Sequence, residues 1–75
     1  MFSKEIFSDR LKSLRTQKQL KQSELAEIIG VRNTAVSMME SGERGPSVEV
    51  LCALADYFDV SLDYLVGRSD DPERH

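Results

Sequence analysis

The stretch from Gln22 to Met39 constrains the fold of this chain more than any other part of it. Apolar residues fall at Leu25, Ile29, Val31, Val36 and Met39, and the small Ala26 is followed four residues later by Gly30. This pattern predicts two short helices that cross steeply around a tight turn. Ala26 leaves room for the second helix to pass over the first. Gly30 can take the positive φ that ends the first helix and redirects the chain.

The rest of the chain reads as helix on both sides of that unit, with no strand. A first helix is predicted from about Ser3 to Lys18, with Phe7, Leu11 and Leu14 on one face and Ile6 beside them. The central pair runs from Gln22 to Ile29 and from Asn33 to Ser41. The breaker-rich loop Gly42-Glu43-Arg44-Gly45-Pro46 follows. Ser47 then caps a fourth helix carrying Val48, Leu51, Leu54, Ala55 and Phe58 at helical spacing. Ser61 caps a short fifth helix with Leu62, Leu65 and Val66, and Gly67 ends it. Residues 1–67 form one domain. Residues 68–75 are polar, contain Asp-Asp-Pro, and are expected to fray.

Composition narrows what stabilises and what binds such a domain. With 75 residues and one cysteine, there is no internal disulfide, and stability rests on helix packing. Cys52 and the lone His75 do not supply a four-ligand zinc site. Cys52, among Leu51, Ala53 and Leu54, reads as a buried or half-buried small hydrophobe. No apolar run has the length of a membrane span and no signal peptide is visible, so the chain reads as cytoplasmic. No Cys-His pair, Ser-His-Asp set or glycine-rich phosphate loop supports an enzyme, and neither a cofactor nor a small-molecule ligand is evident. The formal net charge is −3. Eight Lys/Arg against six Asp/Glu leave residues 1–46 at +2, and two against seven leave residues 47–75 at −5. The basic half holds the helix pair. Local potential rather than the total governs attraction to phosphate, and carrying a helix into the DNA major groove is the usual purpose of such a turn.

The chain resembles the Cro and phage-repressor type of helix-turn-helix domain, the XRE family. The resemblance is carried by Arg10-Leu11-Lys12-Ser13-Leu14-Arg15, Gln22-Ser23-Glu24-Leu25-Ala26, Gly30-Val31, Glu40-Ser41-Gly42, Pro46-Ser47 and Val60-Ser61-Leu62-Asp63-Tyr64-Leu65-Val66-Gly67. Each segment is weak alone; their order and spacing make a strong fold signal. The resemblance implies an all-α, compact five-helix, lambda-repressor-like domain that binds double-stranded operator DNA, usually as a homodimer.

Turned at about 100° per residue, the third helix puts Asn33, Thr34, Ser37, Met38 and Ser41 on one side and Ala35, Val36 and Met39 on the other. Asn33 suits a bidentate pair with adenine, Thr34 a hydrogen bond or a thymine methyl, and Met38 thymine methyls. The resemblance puts the base-contacting positions on Asn33, Thr34 and Met38, with Arg32 at the helix entry. The rival reading for each is a plain solvent-facing residue, and for Met38 a generic protein contact. Gln22 opens the second helix, where free N–H groups and the helix dipole favour an anion, and the resemblance implies a phosphate contact there. Arg10, Lys21, Ser37, Ser41 and Arg44 are further phosphate candidates, as are Lys12 and the Ser41-Gly42 backbone. A lone surface lysine such as Lys12 or Lys18 is as readily a solvated charge. Lys21 and Arg32 stand where the family has Ser or Thr helix caps. Neither accepts a hydrogen bond, so each lost cap costs about 1 kcal/mol, and each puts positive charge at the unfavourable helix end. The expectation is a trade of stability for phosphate attraction.

The resemblance further implies that Arg15 and Glu40 form an internal ion pair between the first and third helices; the rival reading turns Arg15 towards phosphate. Tyr64, Leu65 and Val66 are candidates for a dimer interface or for plain core. The leading function is a sequence-specific transcriptional regulator, a repressor on a palindromic operator. The alternative is a protein-interaction module of the same fold, such as an antirepressor or antitoxin-like partner, supported by the acidic balance, the two methionines and the missing caps.

Overall fold

The computed structural model describes residues 3–74; Met1, Phe2 and His75 lie outside the described residues. Five helices follow one another: α1 Lys4–Gln17, α2 Gln22–Ile29, α3 Asn33–Ser41, α4 Val48–Phe58 and α5 Leu62–Val66. No strand occurs among the described residues. The first helix is one residue shorter at each end than the pattern predicts because Ser3 and Lys18 are its caps.

Local chemistry explains where the helices start and stop. The hydroxyls of Ser3, Ser47 and Ser61 accept hydrogen bonds from the N–H groups of Ile6, Val50 and Tyr64, satisfying donors that have no partner within the helix. Neither Lys21 nor Arg32 offers such a bond to α2 or α3. At α2 half of a capping box survives: the Lys21 N–H donates to the Glu24 carboxylate at 2.8 Å. Gly30 ends α2 at φ +75°, and its N–H donates to the Ala26 carbonyl, which also takes the Val31 N–H at 2.9 Å.

The core gathers one or two side chains from each element. Phe7 and Leu11 of α1, Leu25 of α2, Val36 of α3, Leu54 of α4 and Leu65 of α5 are fully buried, with Ala26, Met39, Ala55, Phe58 and Val60 packed among them. Ala26, at the crossing, is 3% exposed. Its methyl group is what lets α3 pack close over α2.

Of the two readings open for Leu65, the structure takes core: it is the fully buried side chain that anchors α5. Two expectations need correction. Val48 is 78% exposed; as the first residue of α4 it projects past the edge of the core, and Val50 and Leu51 cover that edge instead. Cys52 is exposed, on the outer side of α4. The expected fraying of residues 68–75 also differs from the observed path. Through Arg74 the segment lies against the domain, with the Ser61 N–H donating to the Pro72 carbonyl at 2.9 Å.

The glycines at 30 and 67 make a testable contrast. A Cβ at Gly30 would meet nothing, whereas one at Gly67 (φ +85°) would lie 3.0 Å from Ile6 Cδ1 and Cγ2. Gly30→Ala is expected to cost about 1 kcal/mol for the left-handed backbone alone. Gly67→Ala should cost more, and the excess should shrink in an Ile6→Ala background. Urea denaturation of the four variants checks this.

Candidate nucleic-acid interface

A buried carboxylate organises the outer face of α2 and α3. The Glu40 side chain is 4% exposed and the Arg15 side chain 13%. Arg15 Nε donates to Glu40 Oε2 at 2.6 Å and its Nη2 donates to Oε1 at 2.9 Å, a two-pronged guanidinium–carboxylate pair. Arg15 Nη1 donates to the Leu20 carbonyl at 2.7 Å, pinning the turn between α1 and α2. The hydrogen bond to Glu40, and next its charge, raise the Arg15 pKa against an opposing desolvation, so the guanidinium stays cationic at any ordinary pH. The implied pair is therefore present in the structure, and Arg15 faces inward.

Glu40 has a third partner that the sequence pattern does not reveal. Gln22 Nε2 donates to Glu40 Oε1 at 3.1 Å. The side chain at the opening of α2 is thereby oriented by the last turn of α3. Lys12, Arg15, Gln22, Ser37, Glu40 and Ser41 line one shallow depression of about 220 Å³. It lies at the N-terminus of α2, where helix N–H groups and dipole favour an anion.

The α3 face is arranged as its periodicity predicts. Asn33, Thr34, Ser37, Met38 and Ser41 are exposed while Val36 and Met39 are buried. Met38 keeps 38% of its surface open. Arg32 and Arg44 flank a cleft of about 480 Å³ between the start of α3 and the α3–α4 loop, floored by Val31, Ala35, Met39 and Val50. Lys12, Lys21, Arg32 and Arg44 are all exposed, and among the described residues none pairs with a carboxylate.

Two phosphate candidates are spent elsewhere. Arg10 donates to the carbonyls of Tyr64 and Ser69 and to the Asp70 carboxylate, and its guanidinium sits 4.1 Å from the centre of the Tyr64 ring. It serves the carbonyl end of α5, where a cation is favoured, with three of its N–H groups so engaged. The N–H groups of Gly42, Glu43 and Arg44 all turn inward to the Met38 carbonyl. The Ser41-Gly42 backbone therefore has no free donor at Gly42. Among the described residues no group of His, Cys, Asp and Glu is placed to hold a metal ion, and no helix is long and apolar enough to cross a membrane.

Residues 11–65 match the family model described as Helix-turn-helix. The chain belongs to the helix-turn-helix family, in its XRE, or Cro and phage-repressor, type. It is 42% identical over 85% of its length to the transcriptional activator BcrR of Enterococcus faecalis and covers 31% of that protein. It is 37% identical over 80% of its length to the cryptic phage CTXphi repressor RstR of Vibrio cholerae and covers 54% of it. Among solved structures, the P22 c2 repressor in complex with a synthetic operator superposes with a TM-score of 0.80 at 31% identity, covering 85% of this chain and 97% of that one. The family and these relatives are transcriptional regulators, not enzymes. The chain spans 61% and 58% of the two Bacillus subtilis regulators YobD and YqaE.

Removing one side of a nearly buried ion pair strands the other. Glu40→Ala is expected to lower stability by about 3 kcal/mol, while the paired change Arg15→Met with Glu40→Leu should recover most of that loss. Chemical denaturation of the single and double variants is the check.

Proposed function

We propose that this chain is the sequence-specific DNA-binding part of a transcriptional regulator, acting as a repressor on a palindromic operator. The carrying observation is the exposed, small and mostly polar face of α3, pinned through Glu40 to α1 and α2 and flanked by Lys12, Lys21, Arg32 and Arg44, which pair with no carboxylate among the described residues. In this reading α3 enters the major groove. Asn33 pairs with an adenine edge, Thr34 and Met38 meet thymine methyls, and Arg32 reaches a base at the helix entry. Gln22, Lys21, Ser37, Ser41 and Arg44 hold phosphates on either side, and Lys12 joins Gln22 over the same depression. Arg10 leaves the set because its donors serve α5. The P22 c2 likeness supports the DNA partner. Occupancy of the operator blocks transcription without a further domain, and the compartment that holds the DNA places the protein in the cytoplasm.

A two-fold dimer puts two α3 helices about 34 Å apart, one helical turn of DNA. Leu65 is withdrawn from the pairing surface by its burial. The exposed candidates are Leu62 (44% exposed) and Ile6 (38% exposed), alongside the half-buried Tyr64 and Val66.

Selection of bound duplexes from a random pool tests the reading. One palindrome should be enriched, and Asn33→Ala should relax the preference at one base pair of each half-site, a loss of about 1–3 kcal/mol of discrimination. No enrichment, with no binding at low salt, would move the function to a protein partner, for which the exposed Met38 is the obvious contact.

Lys21→Ser isolates the trade made at the start of α2. The serine hydroxyl adds the missing acceptor, so stability should rise by about 1 kcal/mol. Affinity for the selected duplex should fall, with the slope of log K against log salt reduced by about one. Thermal melting and a salt series of binding curves read the two effects separately.

A further inference from the structure

The cleft beside the start of α3 differs in kind from the two smaller depressions, at Gln22 and beside Leu62. Its floor is Val31, Ala35, Met39 and Val50, and its volume is about 480 Å³, within the range of small-molecule sites. Val31, Ala35 and Val50 are half-buried, so apolar surface on that floor still meets water. Among the described residues no Asp or Glu lines the cleft, although the chain has 13 of them and a formal net charge of −3. Arg32 and Arg44 stand at the rim, both exposed, and neither pairs with a carboxylate among the described residues. The depression at Gln22 has no apolar side chain in its lining and holds Glu40. The one beside Leu62 holds Asp63, and its arginine, Arg74, is paired with Asp56 and Asp59.

The backbone adds to the positive rim. Arg32 immediately precedes α3 and Ser47 immediately precedes α4. Two helices of nine and eleven residues therefore begin at the cleft, and the positive ends of their dipoles favour an anion there. DNA uses this rim but not the floor. In the proposed complex Arg32 and Arg44 meet a base and a phosphate. A phosphodiester has no apolar body, and a thymine methyl is far too small to fill the cleft. An occupant that matches floor and rim together has a compact apolar body and a carboxylate head. Guanidinium groups bind carboxylates through two parallel bonds and also stack on aromatic faces, so an aromatic body fits better than an aliphatic chain.

We propose that this cleft binds a small aromatic carboxylate, with its ring on Val31, Ala35 and Val50 and its carboxylate between Arg32 and Arg44, and that such binding releases the protein from DNA. The release rests on the DNA-binding reading above, because ligand and duplex claim the same two arginines; the site itself does not rest on it. Both arginines stand in water, so the ionic part of the binding is screened by salt while the apolar part is not. For a ligand of two fused rings the dissociation constant is on the order of 1 mM.

The test titrates the full chain, isotope-labelled at its methyl groups, with naphthoate and follows the NMR signals. Those of Val31, Ala35, Met39 and Val50 should shift together and saturate, while those of Ile6 and Leu62, exposed elsewhere, stay in place. Naphthylmethanol keeps the rings and lacks the charge, and should bind about tenfold more weakly. Arg44→Gln, at an exposed position that leaves the core alone, should weaken naphthoate by about three- to tenfold. Val50→Met, which fills the floor, should weaken it at least as much while leaving duplex affinity unchanged when naphthoate is absent. Shifts that are absent at several millimolar, or that spread to Ile6 and Leu62, overturn the site. Equal binding of naphthylmethanol, or of naphthoate by Arg44→Gln, overturns the part given to the arginines. At ten times its dissociation constant, naphthoate should lower the apparent affinity for the selected duplex about tenfold in the wild type, and far less in Val50→Met. Unchanged duplex affinity with the cleft filled overturns the release. A wild-type chain that binds no duplex overturns the release together with the DNA-binding reading, and the methyl shifts then decide the site alone.

Discussion

Glu40 sets the geometry on which the exposed face of α3 depends. A carboxylate this deeply buried is tolerated only with its oxygens engaged, and the chain engages them with Arg15 from α1 and Gln22 from α2. Three helices are thus tied at one point. Because Arg15 also holds the Leu20 carbonyl, the entry to the helix-turn-helix is fixed by the same side chain that fixes its exit. The angle of α3, and the direction in which Asn33 and Thr34 project, follow from that node more than from the α3 sequence itself.

The apolar core and the polar node divide the labour. Leu25, Ala26, Val36 and Met39 hold α2 against α3 without specifying rotation closely, since apolar contact is largely non-directional. The hydrogen bonds at Glu40 are directional and supply the missing specification. The uncapped starts of α2 and α3 fit this division: stability forgone at Lys21 and Arg32 leaves cations beside the face that the node orients. The acidic end of the molecule lies around α4, α5 and residues 68–74, where Arg10 and Arg74 pair with Asp70, Asp56 and Asp59.

Much of the fold was legible because its signals are local. Serine three residues before a free N–H marks the starts of α1, α4 and α5, and glycine after an apolar stripe marks the ends of α2, α3 and α5. Helical periodicity likewise separates the buried Val36 and Met39 from the exposed Asn33 and Met38. The illegible parts are contacts between residues far apart in the chain. Nothing near Arg10 announces that it serves the end of α5. Nothing near Gln22 announces Glu40, although an acceptor buried beside Arg15 has room for a second donor. Leu65 and Val48 show the limit of periodicity, which gives a face but not how far the core extends along it. The docked path of residues 68–74 depends on Arg10, Asp56 and Asp59, whose convergence no local pattern encodes.

The central claim is that Glu40 acts on DNA recognition through Gln22. A double-mutant cycle on duplex affinity tests it most directly, combining Gln22→Ala with Glu40→Gln. If Glu40 works by orienting Gln22, the double variant should bind about as weakly as Gln22→Ala alone, leaving a clear coupling energy. Strictly additive losses would show that the two residues act independently, and would contradict the account.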